Sequence, residues 1–98
     1  MEIKKTGLAG TVESSDILIT LEPGGDGIAI HLDSAVEKQF GGQIRAVISE
    51  TLQELGIRQA TVTAVDRGAL DCVIRARVKT AAYRASGEEG YRWEVKSR

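Results

Sequence analysis

Hydrophobic and polar residues alternate along three successive runs in the first third of the chain. The apolar positions of these runs are Leu8, Gly10 and Val12, then Ile17, Ile19 and Leu21, then Ile28, Ile30 and Leu32. Because neighbouring side chains of a strand point to opposite faces, this period of two predicts three half-buried strands. Short links, Glu13 to Asp16 and Pro23 to Gly27, join them, so the runs predict an antiparallel meander.

The period then lengthens to three or four residues, which is typical of an amphipathic helix of about five turns. Its apolar positions are Val36, Phe40, Ile44, Val47, Ile48, Leu52 and Leu55. Asp33 or Ser34 is expected to cap the start, with Glu37 placed three residues after Ser34 as in a capping box. Gly56 is expected to end the helix.

A fourth strand is predicted from Gln59 to Asp66, where β-branched residues alternate again. The segment from Ala69 to Ser86 fits either a strand or a helix, and its Ala/Arg-rich composition favours a helix. Residues 87–98 have no clear period and are interpreted as a loose tail or a short docking strand. The order βββαβα predicts an α+β fold: a two-layer sandwich with a four-stranded, mainly antiparallel sheet and two helices on one face.

Composition narrows the class of protein further. The chain has 98 residues, 42% of them hydrophobic and 28% charged, which favours a single folded domain over residues 1–98. A formal charge of −1 offers no general attraction to nucleic acid or to an anionic membrane. No apolar run approaches the roughly 20 residues of a membrane span, and no secretion signal opens the sequence, so a cytoplasmic protein is expected.

Side chains for catalysis are scarce. His31 is the one histidine, lies on the polar face of a predicted strand and is interpreted as a solvated residue. Cys72 is the one cysteine, which excludes an internal disulfide and a zinc cluster; it is either a thiol near a helix N-terminus or, the favoured interpretation, a small core residue. The glycine-rich loop Gly24 to Gly27 precedes a strand rather than a helix, so a hairpin turn explains it better than phosphate binding.

Several other residues have two interpretations each. The basic residues of the last predicted helix either form a solvated face or contact a partner or an anionic group; they are Arg75, Arg77, Lys79 and Arg84. Tyr91 and Trp93 in the tail are either interface anchors or residues packed over the sheet edge. Ser34 lies in an Asp-Ser-Ala sequence that superficially resembles the phosphopantetheine site of helical acyl carrier proteins, but helix capping explains it.

Four blocks of the sequence carry a closer resemblance. They are AGTVES from Ala9 to Ser14, SAVEKQFG from Ser34 to Gly41, DRGALDC from Asp66 to Cys72, and RAR from Arg75 to Arg77. In order and approximate spacing, these blocks are similar to the acyl carrier protein, or gamma chain, of citrate lyase. The similarity covers most of the chain and weakens from about Gly87 onward.

The resemblance implies a carrier function without catalytic residues. In that family a serine in the first turn bears 2′-(5″-phosphoribosyl)-3′-dephospho-coenzyme A through a phosphodiester bond, and its position matches Ser14; Ser15 is the less favoured neighbour. The cofactor thiol carries the acetyl group, an alpha chain exchanges acetyl for citrate, and a beta chain cleaves the citryl group to oxaloacetate and acetyl-carrier. A further partner is the transferase that attaches the prosthetic group.

Without the resemblance, the residues predict only a small α+β domain that lacks a visible active site. Three classes then compete: a modified carrier, a ligand-binding or regulatory module, and a scaffold subunit. A fixed mass increment on Ser14 distinguishes the first from the other two.

Overall fold

Four strands and two helices follow one another in the predicted order βββαβα in the computed structural model, which describes residues 1–87. The strands are β1 (Gly7–Gly10), β2 (Ile17–Glu22), β3 (Ile28–Ser34) and β4 (Ala60–Asp66), and the helices are α1 (Glu37–Glu54) and α2 (Asp71–Ser86). The predicted α+β class is confirmed, and so is the choice of a helix over a strand after Ala69. The predicted tail beyond Gly87, with Tyr91 and Trp93, lies outside the described residues.

The sheet is mixed, and the predicted mainly antiparallel meander is wrong. Its strand order is β1-β2-β4-β3; β2 is antiparallel to β1 and β4, whereas β3 is parallel to β4. The link from Pro23 to Gly27 therefore does not close a hairpin between paired strands. The reason is the connection from β3 to β4, because an 18-residue helix provides the long crossover that neighbouring parallel strands need. β4 occupies the position beside β2 that the meander gave to β3.

The face of β1 that packs against the core is not the predicted one. Gly7 and Ala9 are buried, whereas Leu8 is 48% exposed. A Cβ atom on Gly7 would lie 2.6 Å from the backbone nitrogen of Ala85, because α2 passes very close to this strand. Only the smallest side chains fit between them, so the apolar Leu8 and Val12 do not mark the core face.

The core is formed by buried aliphatic side chains of β2, β4 and both helices. Its largest fully buried members are Ile17, Ile19, Leu21, Ile48, Leu52 and Ile74. Helix α2 contacts β1, β2 and α1, while α1 also contacts β3. These contacts accord with two helices on one face of the sheet, and the two-layer arrangement stays a prediction.

Helix α1 follows its predicted apolar stripe except at the beginning. Ile44, Val47, Ile48 and Leu52 are buried, but Phe40 is 52% exposed. The helix ends as predicted at Gly56, whose φ of +73° suits glycine. The N–H of Gly56 bonds the carbonyl of Gln53, and that of the next residue bonds the carbonyl of Leu52, which together form a Schellman motif.

The predicted capping box at Ser34 is absent. Val36 is the N-cap residue and makes no side-chain cap hydrogen bond, and Ser34 is the last residue of β3. The Ser34 hydroxyl instead accepts a hydrogen bond from the N–H of Val36 at 3.1 Å and donates one to Asp66 Oδ2 at 2.9 Å. A buried carboxylate on the adjacent strand therefore fixes this serine.

Three connecting segments of the fold meet at one end of the sheet. The register pairs Ile17 at the start of β2 with Asp66 at the end of β4, and Asp66 with Ser34 at the end of β3. The turn between β1 and β2, the connection from β4 to α2 and the start of α1 all leave the sheet at this end. We call it the serine end.

Candidate functional site

The two serines lie in the middle of a tight turn between β1 and β2. The N–H of Asp16 donates to the carbonyl of Glu13 at 3.1 Å, which places Ser14 and Ser15 at the two central positions of a β-turn. Ser15 has φ +65° and is the one non-glycine residue with positive φ in the described range. A positive φ at the second central position is typical of a type II turn, where glycine or asparagine is usual.

Backbone hydrogen bonds attach this turn to the connection between β4 and α2. The N–H of Ser15 donates to the carbonyl of Arg67 at 2.8 Å, and the N–H of Arg67 donates to the carbonyl of Asp16 at 2.9 Å. Because β1 is only four residues long, these two bonds are an important support for the turn. They also place the turn beside the segment that follows β4.

Ser14 differs from its neighbour in what holds it. Both serines are exposed, but the backbone N–H of Ser15 is committed to Arg67. Within residues 1–87, the Ser14 hydroxyl makes no hydrogen bond to another side chain or to the backbone. The Ser15 hydroxyl makes none either, so both oxygens are open to a reagent and their geometry does not distinguish them; that Ser14 is the modified residue remains a prediction.

Asp16 organises the polar contacts under the turn. Its carboxylate accepts a hydrogen bond from the Thr11 hydroxyl at 2.7 Å and one from the N–H of Ile17, also at 2.7 Å. Arg77 of α2 donates to both oxygens, from Nε to Oδ1 at 3.0 Å and from Nη2 to Oδ2 at 2.9 Å. This paired geometry is the strongest that an arginine makes with a carboxylate, so it joins the turn to the helix.

The same contacts change the acidity of Asp16. Hydrogen bonding by Arg77, then by Thr11, lowers the pKa of Asp16 from 3.8 to about 2, against an opposing effect of desolvation. The carboxylate is thus ionised throughout the neutral range, and Arg77 balances its charge. Of the two acidic residues that flank the serines, Glu13 has no such partner among the described residues.

Asp66 stabilises the neighbouring connection in a similar way. This fully buried carboxylate accepts hydrogen bonds from the N–H groups of Gly68 at 3.1 Å and Ala69 at 3.0 Å, as well as from Ser34. It therefore fixes the segment whose residue Arg67 supports the serine turn. Sequence reasoning missed this role, because Asp66 was predicted only as the last residue of the fourth strand.

The basic residues of α2 are explained mainly by contacts within the chain. Arg75 donates to Glu50 at 3.0 Å, Arg77 binds Asp16, and Arg84 donates to the carbonyl of Leu8 at 2.7 Å. The two interpretations considered for these arginines, a solvated face or a partner contact, both missed this structural role. Local sequence patterns could not predict the pairing of Asp16 with Arg77, because the two residues are 61 positions apart.

The remaining candidates stay apart from the serine turn or contribute little to it. His31 is exposed on β3, in accord with its interpretation as a solvated residue. Cys72 is also exposed, so its interpretation as a core residue is wrong: it lies in the first turn of α2, two positions before Ile74, the first buried residue of the helix. The Ser34 hydroxyl is hydrogen-bonded to Asp66 and to the N–H of Val36.

Metal-ligating residues do not cluster in residues 1–87, where no group of three or more His, Cys, Asp or Glu side chains is placed to hold an ion. Neither α1 nor α2 is long and apolar enough to cross a membrane.

Comparison with known proteins gives one consistent result. A family model described as the malonate decarboxylase delta subunit (MdcD), of the ACP family, matches residues 4–85. The citrate lyase acyl carrier protein of Oenococcus oeni is 62% identical over 96 residues, covering 97% of this chain and 99% of the relative. The corresponding protein of Lacticaseibacillus casei is 58% identical over 94 residues, covering 96% and 93%.

A solved structure shares the fold at lower sequence identity. It is a chain of the crystal structure of a Pseudomonas malonate decarboxylase hetero-tetramer in complex with malonate, with a TM-score of 0.65 and 22% identity over 83% of this chain and 88% of that one. At this identity the likeness concerns the fold alone. The relatives above, which match at 58–62% identity over nearly the full length, show that the chain belongs to the family of citrate lyase acyl carrier proteins.

Proposed function

We propose that this chain is the acyl carrier subunit of citrate lyase, a non-catalytic component that holds the acyl group while other subunits act on it. The observation that carries the proposal is Ser14, an exposed serine with an open hydroxyl on a turn that the sheet and α2 hold in place. Such a mount suits a carrier, because a flexible arm needs a rigid point of attachment that enzymes can reach. The proposal takes residues 1–98 as one carrier domain in the cytoplasm.

The group proposed on Ser14 is 2′-(5″-phosphoribosyl)-3′-dephospho-coenzyme A, with Ser15 as the less favoured site. Attachment forms a bond between Ser14 Oγ and the donor phosphorus as that phosphorus loses its own leaving group. The hydroxyl proton passes to a base of the transferase, so this chain needs no base of its own. That division of labour fits a turn in which no side chain of residues 1–87 hydrogen-bonds the Ser14 hydroxyl.

The surroundings of Ser14 are compatible with an anionic phosphodiester. Arg77 neutralises Asp16, so one of the two flanking negative charges is already balanced. Residues 11–15 are exposed, which leaves the phosphodiester hydrated and avoids the cost of burying its charge. The group therefore requires no dedicated binding pocket at the point of attachment.

The proposed partners are the citrate lyase alpha and beta chains. The alpha chain exchanges the acetyl group on the cofactor thiol for citrate, and the beta chain cleaves the resulting citryl group to oxaloacetate, which restores the acetyl-carrier. The sum of the two steps is cleavage of citrate to acetate and oxaloacetate. In both steps the carrier presents the acyl group on its flexible arm to the partner chain that acts on it.

Intact mass tests the proposal directly. The chain is produced together with the attaching enzymes, and the wild-type protein, Ser14→Ala and Ser15→Ala are weighed. We expect one fixed increment, equal to the prosthetic group, on wild type and on Ser15→Ala, and none on Ser14→Ala. An adduct that survives Ser14→Ala contradicts the site.

The absence of any adduct under these conditions would contradict the carrier function itself. The alternative would then be a small ligand-binding or scaffold subunit of a cytoplasmic complex. Wild-type protein made without the attaching enzymes provides the unmodified reference mass.

A further inference from the structure

A groove at the serine end separates the beginning of α1 from the connection between β4 and α2. It has a volume of about 470 Å³, within the size range of small-molecule sites. Its walls are mainly apolar, from Val36, Phe40 and Ile44 on one side and from Ala69 and Leu70 on the other. The proposed function does not account for this groove.

Two large apolar side chains of the groove are left in contact with water. Phe40 is 52% exposed although it lies on the apolar stripe of α1, and Leu70 is 69% exposed at the N-cap position of α2. A single exposed apolar residue is ordinary on a protein surface, but these two flank the same groove. An apolar ligand bound in the groove would cover part of both side chains.

The groove adjoins the serine turn through the backbone. Ser15 donates to the carbonyl of Arg67 at 2.8 Å, and the next residue along the chain, Gly68, already lines the groove. Ser14 directly precedes Ser15 in the chain, so the Cα atoms of the two serines are about 3.8 Å apart. A group attached to Ser14 is therefore tethered beside the groove.

We propose that the groove binds the adenine ring of the arm attached to Ser14, an inference that rests on the proposed function. In the chemical structure of the group, the phosphate and ribose come first from the serine and adenosine comes next, whereas the pantetheine and its thiol are at the far end. The adenine is thus the first apolar part within reach of the groove. Tethering raises its effective concentration to about the millimolar range, so a weak site suffices.

The residues of the groove suit this ligand. A purine ring stacks well on an aromatic side chain, which Phe40 provides. Gln43 donates from Nε2 to Asp71 Oδ2 at 2.9 Å, and both residues line the groove. Their remaining amide and carboxylate oxygens are acceptors that match the exocyclic amino group of adenine.

Binding at this position divides the arm into two parts with different freedom. The nucleotide portion lies against the serine end, and the pantetheine with its thiol extends into solvent from a defined origin. This shortens the flexible part of the arm and narrows the volume that the thiol must search to reach a partner.

Isotope-filtered nuclear Overhauser spectroscopy tests the inference on the modified protein. The chain carries 13C and 15N while the arm is unlabelled, and mass spectrometry first confirms the adduct on Ser14. We expect contacts from adenine H2 and H8 to the Phe40 ring and the Leu70 methyl groups. Free adenosine added to the unmodified protein should shift the same resonances only at millimolar concentrations.

Leu70→Ala and Leu8→Ala form a matched pair of variants. Both leucines are exposed, at 69% for Leu70 and 48% for Leu8, so both substitutions should leave the fold intact, but only Leu70 lines the groove. Leu70→Ala should weaken the remaining adenine contacts at least threefold, whereas Leu8→Ala should not change them.

Three results would overturn the inference while leaving the proposed function in place: an adduct on Ser14 without adenine contacts, contacts made by pantetheine instead, or equal losses in both variants. Failure to find the adduct at all would overturn the proposed function instead.

Discussion

Removing the Arg77 guanidinium should loosen the serine turn and change the acidity of Asp16. We consider Arg77→Leu, which keeps most of the aliphatic stem and loses both hydrogen bonds to Asp16, at 3.0 and 2.9 Å. The Asp16 carboxylate would keep its bonds to Thr11 and to the N–H of Ile17. We therefore expect a weakened turn in a folded protein.

The size of the effect follows from the pKa of Asp16. A shift from 3.8 to about 2 corresponds to about 2 kcal/mol in favour of the ionised form. Arg77 is the largest cause but not the whole of it, and its side chain is 39% exposed, so solvent screening reduces its share. We expect Arg77→Leu to lower the free energy of unfolding by about 1 kcal/mol, or the Tm by roughly 4–8 °C for a domain of this size.

The pH dependence has a definite sign. Because folding lowers the pKa of Asp16, its stabilisation is fully present above pH 3.8 and is lost as the pH falls through about 2. The difference in unfolding free energy between wild type and Arg77→Leu should therefore be constant near neutral pH. It should shrink as the solution is acidified from about pH 4 to about pH 2.

Two measurements check this reasoning, urea unfolding followed by far-UV circular dichroism and an NMR titration of the Asp16 carboxyl carbon. The pKa of Asp16 should rise toward 3.8 in Arg77→Leu. Arg75→Leu is the matched control, since Arg75 is similarly exposed, at 35%, but pairs with Glu50 and Glu54 instead. A wild-type pKa near 3.8, or the same pKa in wild type and Arg77→Leu, would refute the argument.

Two further substitutions examine the support of the serine end and the packing of β1. Asp66→Asn replaces one acceptor oxygen by a donor beside the N–H groups of Gly68 and Ala69, and should lower the free energy of unfolding by about 1–3 kcal/mol in urea titrations. Gly7→Ala places a methyl group against the backbone of α2 and should cost about 1–3 kcal/mol by the same assay, whereas Gly25→Ala, with nothing within 4 Å, should cost far less. Equal stabilities in either comparison would contradict the packing or the hydrogen bonds described.

The sequence predicted the type and order of the elements well because local signals were enough to decide each one, even where two of them competed. Helix α2 is an example: its alternation fitted a strand equally well, and the helical propensity of its alanines and arginines decided correctly. The serine turn was also predicted, since its small polar residues lie between two alternating runs. These signals act over a few residues and do not depend on how the elements pack.

Local sequence signals did not predict which strands pair with each other. Alternation reveals a strand but not its neighbour, and three strands with short links resemble a meander until α1 is considered as a crossover. Helix α1 joins β3 to β4, and these two strands are parallel neighbours. The other edge of β4 is then open to β2, and the register shows β2 paired with β4. The misjudged face of β1 has a related cause, because only the approach of α2 makes Gly7 and Ala9 the inner residues.

The strand order is also what gives the serine turn its surroundings. In the predicted meander, β3 would lie beside β2 and the connection after Asp66 would leave the sheet farther from the turn. With β4 inserted next to β2, Asp66 lies opposite Ile17, and Arg67 is placed to hold Ser15 and Asp16. The support of Ser14 thus arises from long-range topology, which explains why the sequence predicted the exposed serine but not the residues that position it.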